Sequence, residues 1–171
     1  MLGNNDKSLV LPHKVSESLQ STLDSPKEVV DRLLHNLDDA SLEHPKPESE
    51  KWIRCLARNA KEHSRIDVFT YLREVAPAGT TGPKLPETLL VQEIPKSRLM
   101  ELTITLSGRE DWEIFAEKLG LTPAEIRFLD KRAKNQVLEV LVHASQKDLI
   151  TVGNLYDVLK DCGMPILADL L

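Results

Sequence analysis

The sequence predicts an all-α protein built from two short-helix modules, the second a six-helix antiparallel bundle, joined by a Pro/Gly-rich stretch. Three observations predict it. Apolar residues recur at i, i+3, i+4 and i+7 over most of the chain, as on one face of a helix. Capping residues and glycines bracket the apolar stripes at sensible places. Sustained apolar/polar alternation is missing, and the one ambiguous stretch, Leu102–Leu106, is assigned to helix from its length and the flanking leucine spacing.

In the first module Val15, Leu19 and Leu23 share one helix face. Ser25-Pro26-Lys27-Glu28 is a start signal: serine caps, proline suits the first helical position, and Glu28 completes a capping box. Val29, Val30, Leu33, Leu34 and Leu37 form the next stripe, which His44-Pro45-Lys46-Pro47 breaks. Trp52, Ile53, Leu56, Ala57 and Ala60 form another, and Ile66, Phe69 and Leu72 the last. None of these helices is long enough to stand alone, so they must pack. The expected division is a flexible N-terminus at 1–10, a helical module at 11–76, a linker at 77–93 and a second domain at 94–171.

The second domain reads as six helices. Leu99, Leu102 and Leu106 mark the first, ended by Gly108. Trp112, Phe115, Ala116 and Leu119 mark the second, ended by Gly120. Thr122-Pro123-Ala124-Glu125 opens a third bearing Ile126 and Leu129. The fourth carries Val137, Leu138, Leu141 and Ala144. Thr151 caps a fifth with Val152, Leu155 and Leu159, closed by Gly163, and Pro165 opens a sixth with Ile166, Leu167, Leu170 and Leu171.

The segment Asp111-Trp112-Glu113-Ile114-Phe115-Ala116-Glu117-Lys118-Leu119-Gly120-Leu121 resembles the death-domain signature. Thr122, Ile126 and Leu129 follow at the spacing of that family's third helix, and Thr151–Leu159 resembles its fifth. The resemblance covers about residues 94–171 and is nearest to adaptor and receptor-complex members. Where the family often has a large aromatic late in the fourth helix, this chain has His143-Ala144-Ser145. The first module faintly echoes the second: Leu11-Pro12, Leu19, Thr22 and Leu23 align with Ile94-Pro95, Leu102, Thr105 and Leu106. A diverged death-fold copy and an unrelated helical module both stay open for it.

The resemblance implies an intracellular signalling adaptor that recruits other death-domain proteins by homotypic contact, in apoptotic, NF-κB or innate-immune signalling. Its alternatives are a structural subunit using the domain as a fixed interface, or a death-domain inhibitor. The first module is expected to dock a second partner. Family members meet through charged corners, and the matching residues here are Arg109, Glu110 and Asp111 before the second helix and Arg127, Asp130, Lys131, Arg132 and Lys134 along the third and its exit. Lys147 and Asp148 precede the fifth helix, and Asp157, Lys160 and Asp161 lie along it. Each group holds both signs, so identical copies can pair. Trp112, Phe115, Ala116, Leu119, Ile126, Leu129, Leu138, Leu141, Leu155 and Leu159 are expected to be core.

Composition narrows the rest. A chain of 171 residues with 41% hydrophobic and 29% charged residues is ordinary for a globular protein of two small domains. Only 4% are aromatic, so the cores must be mostly Leu, Ile and Val. A net charge of −5 argues against a general nucleic-acid surface. Two separated cysteines, Cys55 and Cys162, read as reduced thiols in the cytoplasm rather than a disulfide framework. No signal peptide or apolar run long enough for membrane insertion is seen.

The five histidines, His13, His35, His44, His63 and His143, hold no zinc spacing. Cys55 and His63 lie eight residues apart, but Cys55 shares the stripe of Trp52 and Leu56 and reads as a small apolar residue. No phosphate-binding glycine loop appears. No catalytic residue, cofactor or metal is expected.

Overall fold

The computed structural model describes residues 17, 19–20, 24–34, 42, 44–45, 47–107, 112–132 and 134–171. The flexible terminus expected at 1–10, together with Val15, Leu23, Leu37, Gly108, Arg109, Glu110 and Asp111, lies outside them. The chain divides into two compact units, residues 1–81 and 82–171, each with its own apolar core. Among the described residues the structure is helical, and its only β-type contact is one isolated bridge.

In the first unit, α1 (Pro26–Leu34), α2 (Pro47–Glu62) and α3 (Ile66–Val75) pack with α3 against both others. The expected capping box opens α1: Glu28 N donates to Ser25 Oγ (3.3 Å) and Ser25 N to Glu28 Oε2 (3.2 Å). Val29, Val30, Leu33, Trp52, Ile53, Leu56, Ala57 and Ala60 are buried with Leu19 and Leu72, as their spacing predicts. Ile66 departs from the expected stripe. It is 46% exposed at the start of α3, and Val68 fills the core in its place.

Among the described residues the second unit holds six helices: α4 (Lys96–Ser107), α5 (Trp112–Lys118), α6 (Pro123–Arg132), α7 (Gln136–Lys147), α8 (Val152–Asp161) and α9 (Pro165–Ala168). Helix α7 is the hub, packing on α4, α5, α6 and the 3-10 turn Val91–Glu93. Leu102–Leu106 is helical for a visible reason. Leu102, Thr103 and Leu106 are buried while Ile104 and Thr105 face out, a helix period rather than alternation.

Trp112, Phe115, Ala116, Leu129, Leu141, Leu155 and Leu159 are buried core residues, and Leu119 and Ile126 pack on that core while partly exposed. Leu138 is half-buried instead, and Val140, which the expected stripe omitted, is fully buried. Ile166 is 74% exposed. Leu138 and Ile166 each stand one position from a buried neighbour, Val137 and Leu167, which takes the inward place.

The helix ends follow local chemistry. Glu125 N donates to Thr122 Oγ1 (3.3 Å) at the start of α6. Thr151 and Asn154 form a capping box on α8, with asparagine where glutamate is usual. Helix α5 ends at Gly120, φ +92°, where Leu121 N donates to Ala116 O (3.1 Å) across the left-handed turn.

The stretch expected as a linker has two fates. Residues 77–81 belong to the first unit, whereas from Gly82 onward the chain is part of the second. Leu85 and Leu89 pack against the second core, and Val91 and Ile94 are buried in it. Proline and glycine there mark a segment of bends and turns with defined hydrogen-bond partners.

Candidate interaction surface

The polar faces of α5 and α6 meet along a shallow groove lined by Glu113, Ile114, Glu117, Pro123, Ile126, Arg127 and Asp130. The core stripe of α5 turns Trp112, Phe115 and Ala116 inward, which leaves Ile114 outside at 52% exposure. Phe128 on α6 is likewise 53% exposed. Ile114 among the carboxylates gives this groove both a surface to desolvate and a sign, while Phe128 lies on another side of α6.

Of the sequence-predicted contact residues, Arg127, Asp130, Lys131 and Lys134 are exposed on α6 and its exit. Arg127 Nε donates to Pro123 O (3.3 Å), which lays the guanidinium along its own helix. Arg132 ends α6, and its side chain is outside the described residues. Asp148 caps the C-terminus of α7 in extended conformation and is exposed. Asp157 and Asp161 are exposed on α8, and Lys160 is half-buried there. The structure thus brings Arg127 and Asp130 to one groove and places Lys147–Asp148 and the α8 charges elsewhere on the unit.

Lys147 has an intramolecular partner. Its Nζ lies 2.6 Å from Glu125 Oε1, tying the end of α7 to the start of α6. His143 Nε2 lies 3.4 Å from the other oxygen of Glu125, an ion pair when the imidazole is protonated. The hydrogen bond from Lys147 holds the Glu125 carboxyl below the usual carboxylate range, against the opposing effect of burial.

Glu113, Ile114, Glu117, Phe128 and Leu149 were not among the expected contact residues. For three of them the signal was present: Ile114, Phe128 and Leu149 are large apolar residues that no helix stripe claims, and Leu149 is 75% exposed.

Among the described residues no three His, Cys, Asp or Glu side chains gather to hold a metal ion. No described helix is long and apolar enough to cross a membrane. Cys55 is half-buried on α2, and its Sγ accepts from Asn59 Nδ2 (3.5 Å).

A six-helix bundle with a buried tryptophan opening its second helix, a glycine-ended second helix and charged, partly apolar outer faces has the form of a helical interaction module. The death-domain family model matches residues 98–171, and this C-terminal part of the chain is a death domain. No curated protein and no solved structure is significantly similar to the chain. Death domains act in homotypic protein–protein interaction, and that is the general role this domain brings.

Proposed function

We propose that the chain is a non-enzymatic cytoplasmic signalling adaptor. Its death domain recruits other death-domain proteins, or further copies of itself, and its first module docks a second partner. The destination is apoptotic, NF-κB or innate-immune signalling. The observation that carries this reading is the family match on residues 98–171, set on a folded bundle whose α5–α6 groove combines exposed Ile114 with charges of both signs. Mixed signs favour oriented, heterologous pairing between unlike faces, which extends into assemblies without closing.

The deciding experiment is light scattering of the full chain over a range of concentrations, alone and with isolated death domains. Mass is expected to rise with concentration or on mixing. The reversals Asp130→Lys, Lys131→Glu and Lys134→Glu are expected to abolish that rise, with helicity unchanged and stability shifted by only about 0.5 kcal/mol. Reversed variants that still assemble would remove this patch from the interface. A strict monomer that captures no death domain would leave the fixed-subunit or inhibitor role instead.

A further inference from the structure

A buried polar atom without a hydrogen bond costs free energy, and a donor that reaches it removes that cost. Among the described residues of the second unit, Glu125 Oε2 is such an atom. The Glu125 side chain is 24% exposed, but Oε2 itself is shut away from solvent. Its companion Oε1 takes Lys147 Nζ at 2.6 Å. The group that approaches Oε2 is His143 Nε2, at 3.4 Å.

The two bases share one side of α7. His143 and Lys147 stand four residues apart, about one helical turn, and Glu139 lies one turn earlier on the same side. Glu125 reaches them from the first turn of α6. The charged groups along this face are therefore the carboxylates Glu125 and Glu139 and the ammonium of Lys147. Among the described residues α4, α5 and the Val91–Glu93 turn, which also pack on α7, bring no ion pair to His143. With two carboxylates against one ammonium, a positive charge on the imidazole meets more attraction than repulsion.

One member of this set changes charge near neutrality. Histidine does so between about pH 5 and 8. The hydrogen bond from Lys147 holds the Glu125 carboxyl below the usual carboxylate range, so it stays ionised there. His143 is also the one histidine of the second unit, since His13, His35, His44 and His63 all fall within residues 1–81. A neutral imidazole carries its N–H on either nitrogen. Protonation places one on Nε2 in every molecule and sets a positive charge beside the carboxylate.

We propose that His143, Glu125 and Lys147 form a proton-operated clamp between α6 and α7. At mildly acid pH each oxygen of Glu125 holds a cation from α7, and the start of α6 is fastened at two points. As the proton leaves His143 with rising pH, Lys147 alone holds it. The clamp acts on the helix that supplies Pro123, Ile126, Arg127 and Asp130 to the groove. It works within one molecule, so it stands apart from the adaptor reading and requires no partner.

Native-state hydrogen exchange on the full chain, between pH 5.5 and 7.5, tests it. Protection factors are the readout, because they divide out the pH dependence of the exchange chemistry itself. The Leu129 and Asp130 amides of α6 are expected to be about two- to threefold better protected at pH 5.5 than at 7.5, a modest change because His143 is 41% exposed. His143→Gln and Glu125→Gln should each remove that rise. Lys147→Met should lower protection at both pH values and leave the rise in place, because His143 still faces Glu125. Protection that is flat or falls on acidification in the wild-type chain, or a rise that survives His143→Gln, would overturn the proposal.

Discussion

Asn135 makes three hydrogen bonds with one side chain. Its Oδ1 accepts from Leu138 N (3.1 Å) as the N-cap of α7 and from Ser107 Oγ (2.9 Å), and its Nδ2 donates to Thr103 Oγ1 (3.3 Å). It thereby joins the start of α7 to the end of α4, beside a threonine that is fully buried. Asn135→Ala removes the cap and strips partners from Thr103 and Ser107, so a loss of ~2 kcal/mol is expected in denaturant unfolding. Asn135→Asp keeps both acceptor bonds and should lose clearly less. Ser64 poses the opposite case. It sits at φ +59° after α2, where Arg65 N donates to Ala60 O (2.8 Å) across the turn. A side chain in this left-handed conformation is strained, so Ser64→Gly should raise stability by roughly 0.5–1 kcal/mol, seen as a higher melting temperature.

At the scale of elements, Arg65 does for the first unit what the backbone bonds from residues 82–91 to α8 do for the second. Its buried guanidinium donates to Leu19 O (3.2 Å) and Asp24 O (3.2 Å), and it forks onto Asp67 at 2.9 and 3.0 Å. The segment before α1 and the start of α3 are thus held by one cation. The hydrogen bond from Arg65 keeps the Asp67 carboxyl below its ordinary value of 3.8. A carboxyl depressed by folding contributes stability above its unfolded pKa and loses it as pH falls through the folded value. The first unit should therefore weaken as pH drops below about 4, and Asp67→Asn should flatten that dependence. Asp67 is half exposed, so solvent screening limits the effect to about 1 kcal/mol or less. Acid titration of the unfolding midpoint reads both.

The same elements mark what sequence can and cannot carry. The box at Ser25–Glu28, the caps at Thr122 and Thr151 and the stop at Gly120 were visible in advance because each involves residues within about five positions of one another, although Asn154 as the reciprocal partner of Thr151 was not named. Periodicity also picked most of the second core, missing where one helix step decides, as at Leu138 and Val140. The bonds of Arg65 and Asn135, and those between residues 82–91 and α8, were not visible. Their partners lie far away in the chain, 28 residues for Ser107–Asn135 and 46 for Arg65–Leu19, and no local pattern encodes them. For the interaction face, the charges on α6 could be named from spacing, but which of them share a groove required the packing of α5 on α6.

On the scale of the whole molecule, the open question is what drives one death domain onto another: charge, or the apolar residues among the charges. The second unit presents Asp130, Lys131 and Lys134 close together, and also Ile114, Phe128 and Leu149 at half exposure or more. Salt separates the two contributions. The screening length falls from about 10 Å at 0.1 M to about 3 Å at 1 M ionic strength, so contacts steered by exposed charges weaken over that range. Burial of apolar surface does not weaken in the same way, and kosmotropic salts strengthen it. If complementary corners dominate, light scattering should show the assemblies dissolving as sodium chloride rises, and Asp130→Lys should already prevent assembly at low salt. If Ile114 and Phe128 carry the interface, sulfate should promote assembly and Ile114→Ser should abolish it, with the charge reversals nearly silent. The groove sets both apolar and ionic groups on one face, and the corner charges hold both signs, so the first outcome is expected, with Ile114→Ser weakening assembly rather than ending it.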